Sequence, residues 1–291
     1  MACRRLISCS LLLLPLLAGG QERVVIDTDG AADDLRAICL LLAAPSVEIR
    51  AIVTSEGALS PGEATRKVRA LLRAAGRDDI LIGTGRSLAL PPPRWREQSR
   101  RVPWGDERDD DGEAPPAVAL LREIAREGAC TFVALGALTN LADLLDSLPA
   151  ARENIPRVIW YNGHDDPRAS ANHAADPASA ARVLSGGIPA RIISGEHLAI
   201  TIDPAFVEAI SSIDAPLARL LVAAHRSPAL RRVVDAGHMK TWDDLAALYL
   251  LDPDLFTARP CSPSVSLLAL DGEKAVTRAM ALICHVLKIA R

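Results

Sequence analysis

Aromatic residues are scarce in this chain and account for 3% of its 291 positions. Hydrophobic residues nevertheless make up 49% of the sequence. The core therefore has to be built from Leu, Ala, Val and Ile, which is ordinary for a packed α/β protein. The length suits one large domain or two small ones.

An excess of basic charge is also lacking. The formal net charge is −3, and Lys and Arg are scattered except for a short arginine-rich patch around residues 94–101. A nucleic-acid partner bound through a basic face is therefore not expected.

Cysteines are few beyond the N-terminal segment, where Cys39, Cys130, Cys261 and Cys284 remain. Their wide spacing matches no metal motif and defines no disulfide framework. We expect free, buried thiols, because unpaired cysteine is among the residues most often buried.

Residues 1–20 predict a signal peptide. Arg4 and Arg5 supply the positive start, residues 6–17 the apolar middle, and Ala18-Gly19-Gly20 the small residues near a cleavage site. The apolar stretch is too short for a comfortable membrane span, and the alternative is an uncleaved N-terminal anchor. We therefore expect an exported protein, periplasmic or secreted, with one domain over residues 21–291 and no membrane span in the mature chain.

One acidic stretch carries most of the functional signal. Three apolar residues, Val24 to Ile26, lead into four carboxylates within eight positions, namely Asp27, Asp29, Asp33 and Asp34. The pattern predicts a buried strand, a tight turn at Gly30 and a helix that opens at Asp33. Crowded carboxylates stay ionised only with a cation or strong hydrogen bonds nearby. All-oxygen ligands suit Ca²⁺ or Mg²⁺, and the alternative is a solvated acidic turn that caps a helix.

Strand and helix patterns alternate along the rest of the chain. Strands are predicted at 47–53, 80–82, 131–135, 158–161 and 190–193, and helices at 62–75, 117–127, from 141 onward and at 176–184. Residues 204–247 look mainly helical, 264–270 a strand or hairpin, and 275–289 a closing helix. The alternation predicts an α/β fold with an open, doubly wound, mainly parallel sheet flanked by helices, as in Rossmann-like proteins.

Residues 86–116 interrupt this alternation. They contain Pro91-Pro92-Pro93, Trp95, Trp104-Gly105 and an acidic run from Asp106 to Glu113. We expect a long loop, which in a compact domain is often a functional lid or a mobile segment. The alternative is a solvated surface insertion.

Four separated stretches agree with the motifs of one enzyme family. Residues 27–34 match D-x-D-x-x-x-D-D, and residues 136–140 match G-P-L-T-N with Ala in place of Pro. Residues 172–177 match the end of E-F-N-x-x-x-D-P, and residues 242–246 match (H/W)-D-x-L-A. Together, from about Val24 to about Pro253, they resemble the inosine–uridine-preferring nucleoside hydrolases. The resemblance implies a nucleoside hydrolase-like fold.

The resemblance further implies a Ca²⁺ site with four contributors: Asp29, Asp34, the main-chain carbonyl of Thr139, and Asp243. Hard oxygen ligands of this kind suit Ca²⁺ and leave room for water and ribose hydroxyls. Taken alone, Thr139 and Asp243 would also fit the N-terminal turns of helices.

The implied reaction is hydrolysis of the N-glycosidic bond of a ribonucleoside to base and ribose. The metal would lower the pKa of a bound water, and Asp29 would take its proton as general base. The sugar would pass through an oxocarbenium-like state. By the family pattern, Asp33 and Asn172 would hold ribose hydroxyls, although Asp33 also fits a helix cap.

Two tryptophans resemble the purine-specific branch of the family, in which indole rings sandwich the base. Trp242 precedes Asp243, and Trp104 precedes Gly105, where some members have His. An indole cannot donate a proton at useful acidity, but stacking on a base contributes about 1–3 kcal/mol. We expect a purine-leaning enzyme, and the alternative for either residue is a half-buried structural Trp.

The chain departs from the family pattern at Ala58, where an Asn is expected, and at Ser170, where a Glu would grip the ribose 5′-hydroxyl. Ala171 stands where the family has Phe. Each lost polar partner costs roughly 1–3 kcal/mol. The departures are consistent with another sugar, slow turnover or loss of activity.

Two other functions fit parts of the sequence. Residues 24–30 resemble the opening of haloacid-dehalogenase phosphatases, with Asp27 as nucleophile and Asp29 as acid–base, but that scheme gives no role to Asp33 and Asp34. The other is an exported Ca²⁺-dependent protein that binds a sugar or nucleoside without catalysis. Family members are often dimers or tetramers, so the resemblance also implies a homo-oligomer, although no interface is evident from the sequence.

Overall fold

The computed structural model describes residues 20–108 and 113–290. The predicted signal peptide lies outside this range except for Gly20, and so does part of the acidic run that follows Trp104. Within the described residues, no helix is both long enough and apolar enough to cross a bilayer.

An eight-stranded sheet forms the middle layer, with strand order β3-β2-β1-β4-β5-β6-β10-β9. All neighbours are parallel except the edge pair β10–β9, which is antiparallel. The predicted α/β, mainly parallel fold is therefore confirmed. The strands of this sheet are β1 (Glu22–Thr28), β2 (Val47–Thr54), β3 (Leu81–Thr84), β4 (Thr131–Ala134), β5 (Val158–Gly163), β6 (Ala190–Ser194), β9 (Phe256–Pro260) and β10 (Val265–Leu270).

Helices cover both faces of the sheet. Side chains alternate along β1, so that Val24 and Ile26 join one hydrophobic cluster while Val25 joins a second cluster on the opposite face. The helices are α1 (Ala32–Ala43), α2 (Pro61–Ala74), α3 (Arg96–Arg101), α4 (Ala117–Glu127), α5 (Thr139–Ser147), α6 (Ala171–Ala175), α7 (Pro177–Leu184), α8 (Pro204–Ser211), α9 (Pro216–Arg226), α10 (Arg231–Asp235), α11 (Asp244–Leu251) and α12 (Gly272–Ile289).

The strand order places a switch point beside β1. The chain proceeds from β1 to β2 and β3 on one side, and then returns to place β4 on the other side. In open α/β sheets, ligands bind outside the carboxyl ends of the strands at such a point. The acidic stretch follows β1 directly and therefore lies at this position.

Three details differ from the sequence-based expectations. The 86–116 segment contains the short helix α3, and the 204–247 segment contains β8 (Met239–Lys240), which pairs with β7 (Thr201–Ile202). Both elements are too short to leave a periodic pattern, so tertiary contacts decide them. None of these four cysteines forms a disulfide within the described residues, but only Cys39 and Cys130 are buried, whereas Cys261 is exposed. The prediction that all the thiols are buried was wrong.

Candidate active site

The turn after β1 is fixed by backbone geometry and by one carboxylate. Gly30 has a φ of 81°, a left-handed conformation in which a side chain is strained. Asp34 accepts hydrogen bonds from the backbone N–H groups of Asp29 at 3.2 Å and Ala31 at 3.1 Å. The Thr28 hydroxyl also donates to it. These contacts fold residues 28–34 into a tight loop that leads directly into α1.

Three carboxylates converge at this loop. Asp33, Asp34 and Asp243 each offer an oxygen atom, and these atoms all lie within 4.8 Å of one another. Asp243 immediately precedes α11, and its carboxylate atom Oδ1 is buried without a hydrogen-bond partner. The predicted approach of Asp243 to the first loop is therefore present. We refer to Asp33, Asp34 and Asp243 as the acidic cluster.

The acidic cluster is electrostatically unfavourable without a counter-charge. Burial raises the pKa of Asp34 well above its usual range, and the charges of Asp29 and Asp33 raise it further. Burial likewise raises the pKa of Asp243, with repulsion from Asp33 and Asp34 adding to the effect. An unpartnered buried oxygen among crowded carboxylates fits a hard divalent cation, for which all-oxygen ligands are preferred.

Asp29 lies beside the acidic cluster. Its Oδ1 accepts from the Ala31 N–H at 3.3 Å and its Oδ2 from the Ala58 N–H at 3.0 Å. Burial raises the pKa of Asp29 to about 6, partly offset by these hydrogen bonds. A Cβ atom at Gly57 would lie 2.0 Å from Asp29 Oδ2, so only glycine leaves room for this carboxylate. Ala58 thus contacts Asp29 through its backbone.

Thr139 and Asn172 line the neighbouring strand ends. Thr139 is the first residue of α5 and is 2% exposed, and its hydroxyl donates to Asp176 Oδ2 at 2.8 Å. Asn172 is half-buried and its Nδ2 donates to the carbonyls of Leu135 at 2.8 Å and Tyr161 at 3.1 Å. The side-chain oxygen of Asn172 has no partner among the described residues, and the role of the Thr139 carbonyl stays a prediction.

Ser170 takes a structural part. It is 3% exposed, its hydroxyl donates to Asn162 Oδ1 at 2.5 Å, and the same oxygen accepts from the His173 N–H at 2.9 Å. Ser170 therefore caps α6, and both of these bonds are internal to the protein.

The two predicted base-stacking residues have different surroundings. Trp242 is half-buried, directly precedes Asp243 in the sequence and packs against the hydrophobic cluster around α1 and α11. Trp104 is 0% exposed and belongs to the hydrophobic cluster that contains Val68 and Leu71 of α2. Trp242 therefore keeps an exposed part that a base could contact, whereas Trp104 lies in the core and has no exposed face for a ligand. Its neighbour Gly105 approaches α2 too closely for a side chain, since a Cβ would lie 2.5 Å from the Ala70 carbonyl oxygen.

Sequence reasoning missed several residues at this site. Tyr161 is 8% exposed. Burial raises the pKa of its hydroxyl, and the nearby charges of Asp243 and Asp33 raise it further. Nothing in the sequence distinguishes Tyr161 from a core aromatic. Arg36 and Asp244 form a buried ion pair at 2.8 Å, and charges inside two otherwise apolar helical stretches were the available signal.

Asp27 differs from the other acidic residues of the stretch. It is 0% exposed, its Oδ2 accepts from Asn140 Nδ2 at 3.0 Å, and burial raises its pKa to about 8. A fully enclosed carboxyl cannot attack a substrate phosphate, so the role of nucleophile in a phosphatase is not supported.

Comparisons with known proteins agree with this geometry. A sequence profile described as inosine-uridine preferring nucleoside hydrolase matches residues 24–286. The non-specific ribonucleoside hydrolase RihC of Klebsiella pneumoniae is 28% identical over 265 residues, covering 83% of each chain. The pyrimidine-specific ribonucleoside hydrolase RihA of the same species is 29% identical over 265 residues, covering 80% of this chain and 81% of the relative.

Among solved structures, a purine-preferring ribonucleoside hydrolase from Gardnerella vaginalis superposes with a TM-score of 0.76 at 18% identity. The match covers 92% of this chain and 100% of that chain. The profile, these two relatives and the fold all indicate the same family. The chain therefore belongs to the inosine-uridine preferring nucleoside hydrolase family and is a nucleoside hydrolase.

Proposed function

We propose that the chain catalyses Ca²⁺-dependent hydrolysis of the N-glycosidic bond of ribonucleosides, with a preference for purine bases. The observation that carries this proposal is the acidic cluster, in which residues from two distant segments converge and one buried oxygen, Asp243 Oδ1, lacks a partner. Hydrolysis would release the free base and ribose.

Asp34 and Asp243 would hold the cation together with Asp29 and the carbonyl of Thr139. When bound, Ca²⁺ supplies Lewis acidity and charge neutralisation. The proximity of Asp33 to Asp34 and Asp243, within 4.8 Å, makes it an additional ligand or the residue that links the site to the sugar. A nearby positive charge favours ionised carboxylates, so Asp29 would be deprotonated in the loaded protein at neutral pH.

Asp29 would act as general base. Its two backbone hydrogen bonds, from Ala31 and Ala58, hold the carboxylate in one orientation, and one of its oxygens would take the proton of the attacking water. Asp33 and the unpartnered oxygen of Asn172 would accept hydrogen bonds from ribose hydroxyls. Since Ser170 is engaged within the protein, contacts with the 5′ end of the sugar would come from elsewhere.

Trp242 supports the purine preference. The residue is half-buried and directly precedes Asp243 in the sequence, and stacking on a base contributes about 1–3 kcal/mol. A purine offers the indole a larger face than a pyrimidine does. The relatives differ in the base that their names specify, so the preference rests on this side chain alone.

An assay panel tests the proposal. The purified protein with Ca²⁺ would be given inosine, adenosine, guanosine and uridine, and released ribose would be measured as reducing sugar. We expect release from purine nucleosides and loss of release with EGTA. The Trp242→Ala variant should lose more activity on inosine than on uridine, and equal losses would refute the stacking role. Nucleoside binding without ribose release would favour the non-catalytic binding protein.

We also propose that the protein is exported and that it self-associates. The signal-peptide pattern in residues 1–20 supports export, and N-terminal sequencing of the mature protein would test it. A homo-oligomer follows from the behaviour of the family and is tested by light scattering.

A further inference from the structure

A buried ion pair connects the two segments that carry the acidic cluster. Arg36 follows Asp34 by two residues in α1, and Asp244 directly follows Asp243 at the start of α11. Arg36 Nε donates to Asp244 Oδ1 at 2.8 Å, and Arg36 Nη2 donates to Oδ2 at 2.8 Å. Both residues are 1% exposed. A two-point contact of this kind fixes the orientation of both partners as well as their separation.

The remaining polar atoms of the pair are also engaged. Arg36 Nη2 donates to the Lys240 carbonyl at 2.9 Å, and Asp244 Oδ2 accepts from the Trp242 N–H at 3.3 Å. The pair therefore holds the backbone that leads into Asp243, while Asp244 itself directly follows it. A fully satisfied buried network makes the residues within it rigid.

His225 completes the network from α9. Its Nδ1 lies 2.7 Å from the Leu221 carbonyl oxygen, which can only accept, so the proton is on Nδ1. Nε2 is then free to accept from Arg36 Nη1 at 3.2 Å. The guanidinium of Arg36 is thus hydrogen-bonded to three parts of the chain: α9, the 240–242 segment and α11.

We propose that Arg36 and Asp244 are positioning residues that hold Asp243 against Asp33 and Asp34 for cation binding. The inference rests on the proposed function, in which the acidic cluster binds Ca²⁺. Three crowded carboxylates repel one another, and this repulsion would drive α11 and the first loop apart. The ion pair directly links the side chains of the same two segments and opposes that separation.

The proposal differs from a general stabilising role. Replacing a buried ion pair with apolar residues of similar size is often neutral or stabilising for a fold. The double variant Arg36→Met/Asp244→Leu should therefore stay folded while losing the fixed orientation. The matched control is Asp252→Asn, because Asp252 follows the other end of α11 and pairs with Arg278 at 2.6 Å, also through a mostly buried carboxylate.

Calorimetric titration of the full chain with CaCl₂ is the main experiment. We expect the Kd for Ca²⁺ to rise about tenfold or more in Arg36→Met, Asp244→Asn and the double variant, which is the range for residues that orient metal ligands. Arg36→Lys keeps the positive charge but loses the two-point contact with Asp244, so it should bind Ca²⁺ as weakly as Arg36→Met. Asp252→Asn should keep the wild-type Kd. A folded double variant with the wild-type Kd would overturn the proposal.

Hydrogen exchange in EGTA separates this inference from the proposed function. Amides of residues 241–246 should exchange faster in Arg36→Met than in the wild type or in Asp252→Asn. If the wild-type protein bound no Ca²⁺, but Arg36→Met still exchanged faster than the wild type at residues 241–246, the cation site would be refuted while the positioning role stood. Unchanged exchange in Arg36→Met would refute the positioning role itself.

Discussion

Replacing Asp243 with Asn should remove charge repulsion from the acidic cluster and, at the same time, remove its stabilisation by Ca²⁺. The carboxylate oxygens of the cluster lie within 4.8 Å of one another. Two unit charges at that separation repel by about 3.5 kcal/mol at an effective dielectric constant of about 20. Asp243 takes part in two such pairs, which amounts to about 7 kcal/mol or more when all three carboxylates are ionised. Proton uptake by carboxyls with raised pKa values already relieves most of it, so we expect a net gain of about 1–2 kcal/mol without metal.

Ca²⁺ should stabilise the wild-type protein but not the Asp243→Asn variant. At about 100 times its Kd, a ligand stabilises the folded state by about 2.7 kcal/mol. An unfolding entropy of about 2.1 cal/mol/K per residue amounts to roughly 0.6 kcal/mol/K for 291 residues. The wild-type Tm should therefore rise by about 4 °C with Ca²⁺. Asp243→Asn should melt about 2 or 3 °C above the wild type in EGTA and gain nothing from Ca²⁺.

Differential scanning calorimetry in EGTA and in CaCl₂ measures both effects. Asp252→Asn serves as the control, because it removes a buried carboxylate away from the acidic cluster and should keep the wild-type response to Ca²⁺. A Tm for Asp243→Asn that falls in EGTA, or that still rises with Ca²⁺, would refute the cluster as a cation site.

Three further variants probe other parts of the site. Gly57→Ala would place a Cβ 2.0 Å from Asp29 Oδ2, so kcat should fall about a hundredfold, which is the scale of a lost general base. Gly62→Ala is the control, because it has open space around it and should keep full activity. Burial and the charge of Arg36 lower the pKa of His225 to about 3 in the folded protein. Below about pH 6.5, His225 is therefore protonated in the unfolded chain but stays neutral in the folded chain, which destabilises the folded state. Between pH 7 and 5, His225→Gln should accordingly lose about 2 kcal/mol less stability than the wild type in urea unfolding, and equal losses would contradict the assignment. Tyr161→Phe should raise KM about two- to tenfold if its hydroxyl binds the sugar, and unchanged kinetics would remove it from the site.

The sheet was predictable because its strands are short apolar runs between turn residues. Strands such as 131–134 and 158–163 are buried on both faces, so each reads as continuous apolar sequence. The elements that were missed lack such a pattern. Helix α3 is the polar hexapeptide REQSRR, and the contacts of Arg96 with the carbonyls of Gly57 and Ala58 hold it in place.

The site was predictable where several charges crowd together and unpredictable where burial decides the role. Four carboxylates in eight positions are costly without a cation or hydrogen bonds, so the spacing of residues 27–34 indicated a cation site. The family resemblance, and not the spacing, distinguished Asp29, Asp33 and Asp34 from Asp27. Trp104 shows the limit, because its exposure depends on how its segment packs on α2. Arg36 and Asp244 are 208 positions apart in the sequence. No local sequence pattern predicts which distant carboxylate a buried arginine will pair with.

The acidic cluster joins the first strand–helix unit to a helix from the last fifth of the chain. During synthesis, every carboxylate of the first loop is present long before Asp243 leaves the ribosome. An N-terminal fragment ending near residue 200 would keep the central strands and yet have an incomplete set of ligands. Cation affinity should therefore appear only when the whole polypeptide has folded, which makes it a measure of complete assembly rather than of local order at the β1 turn.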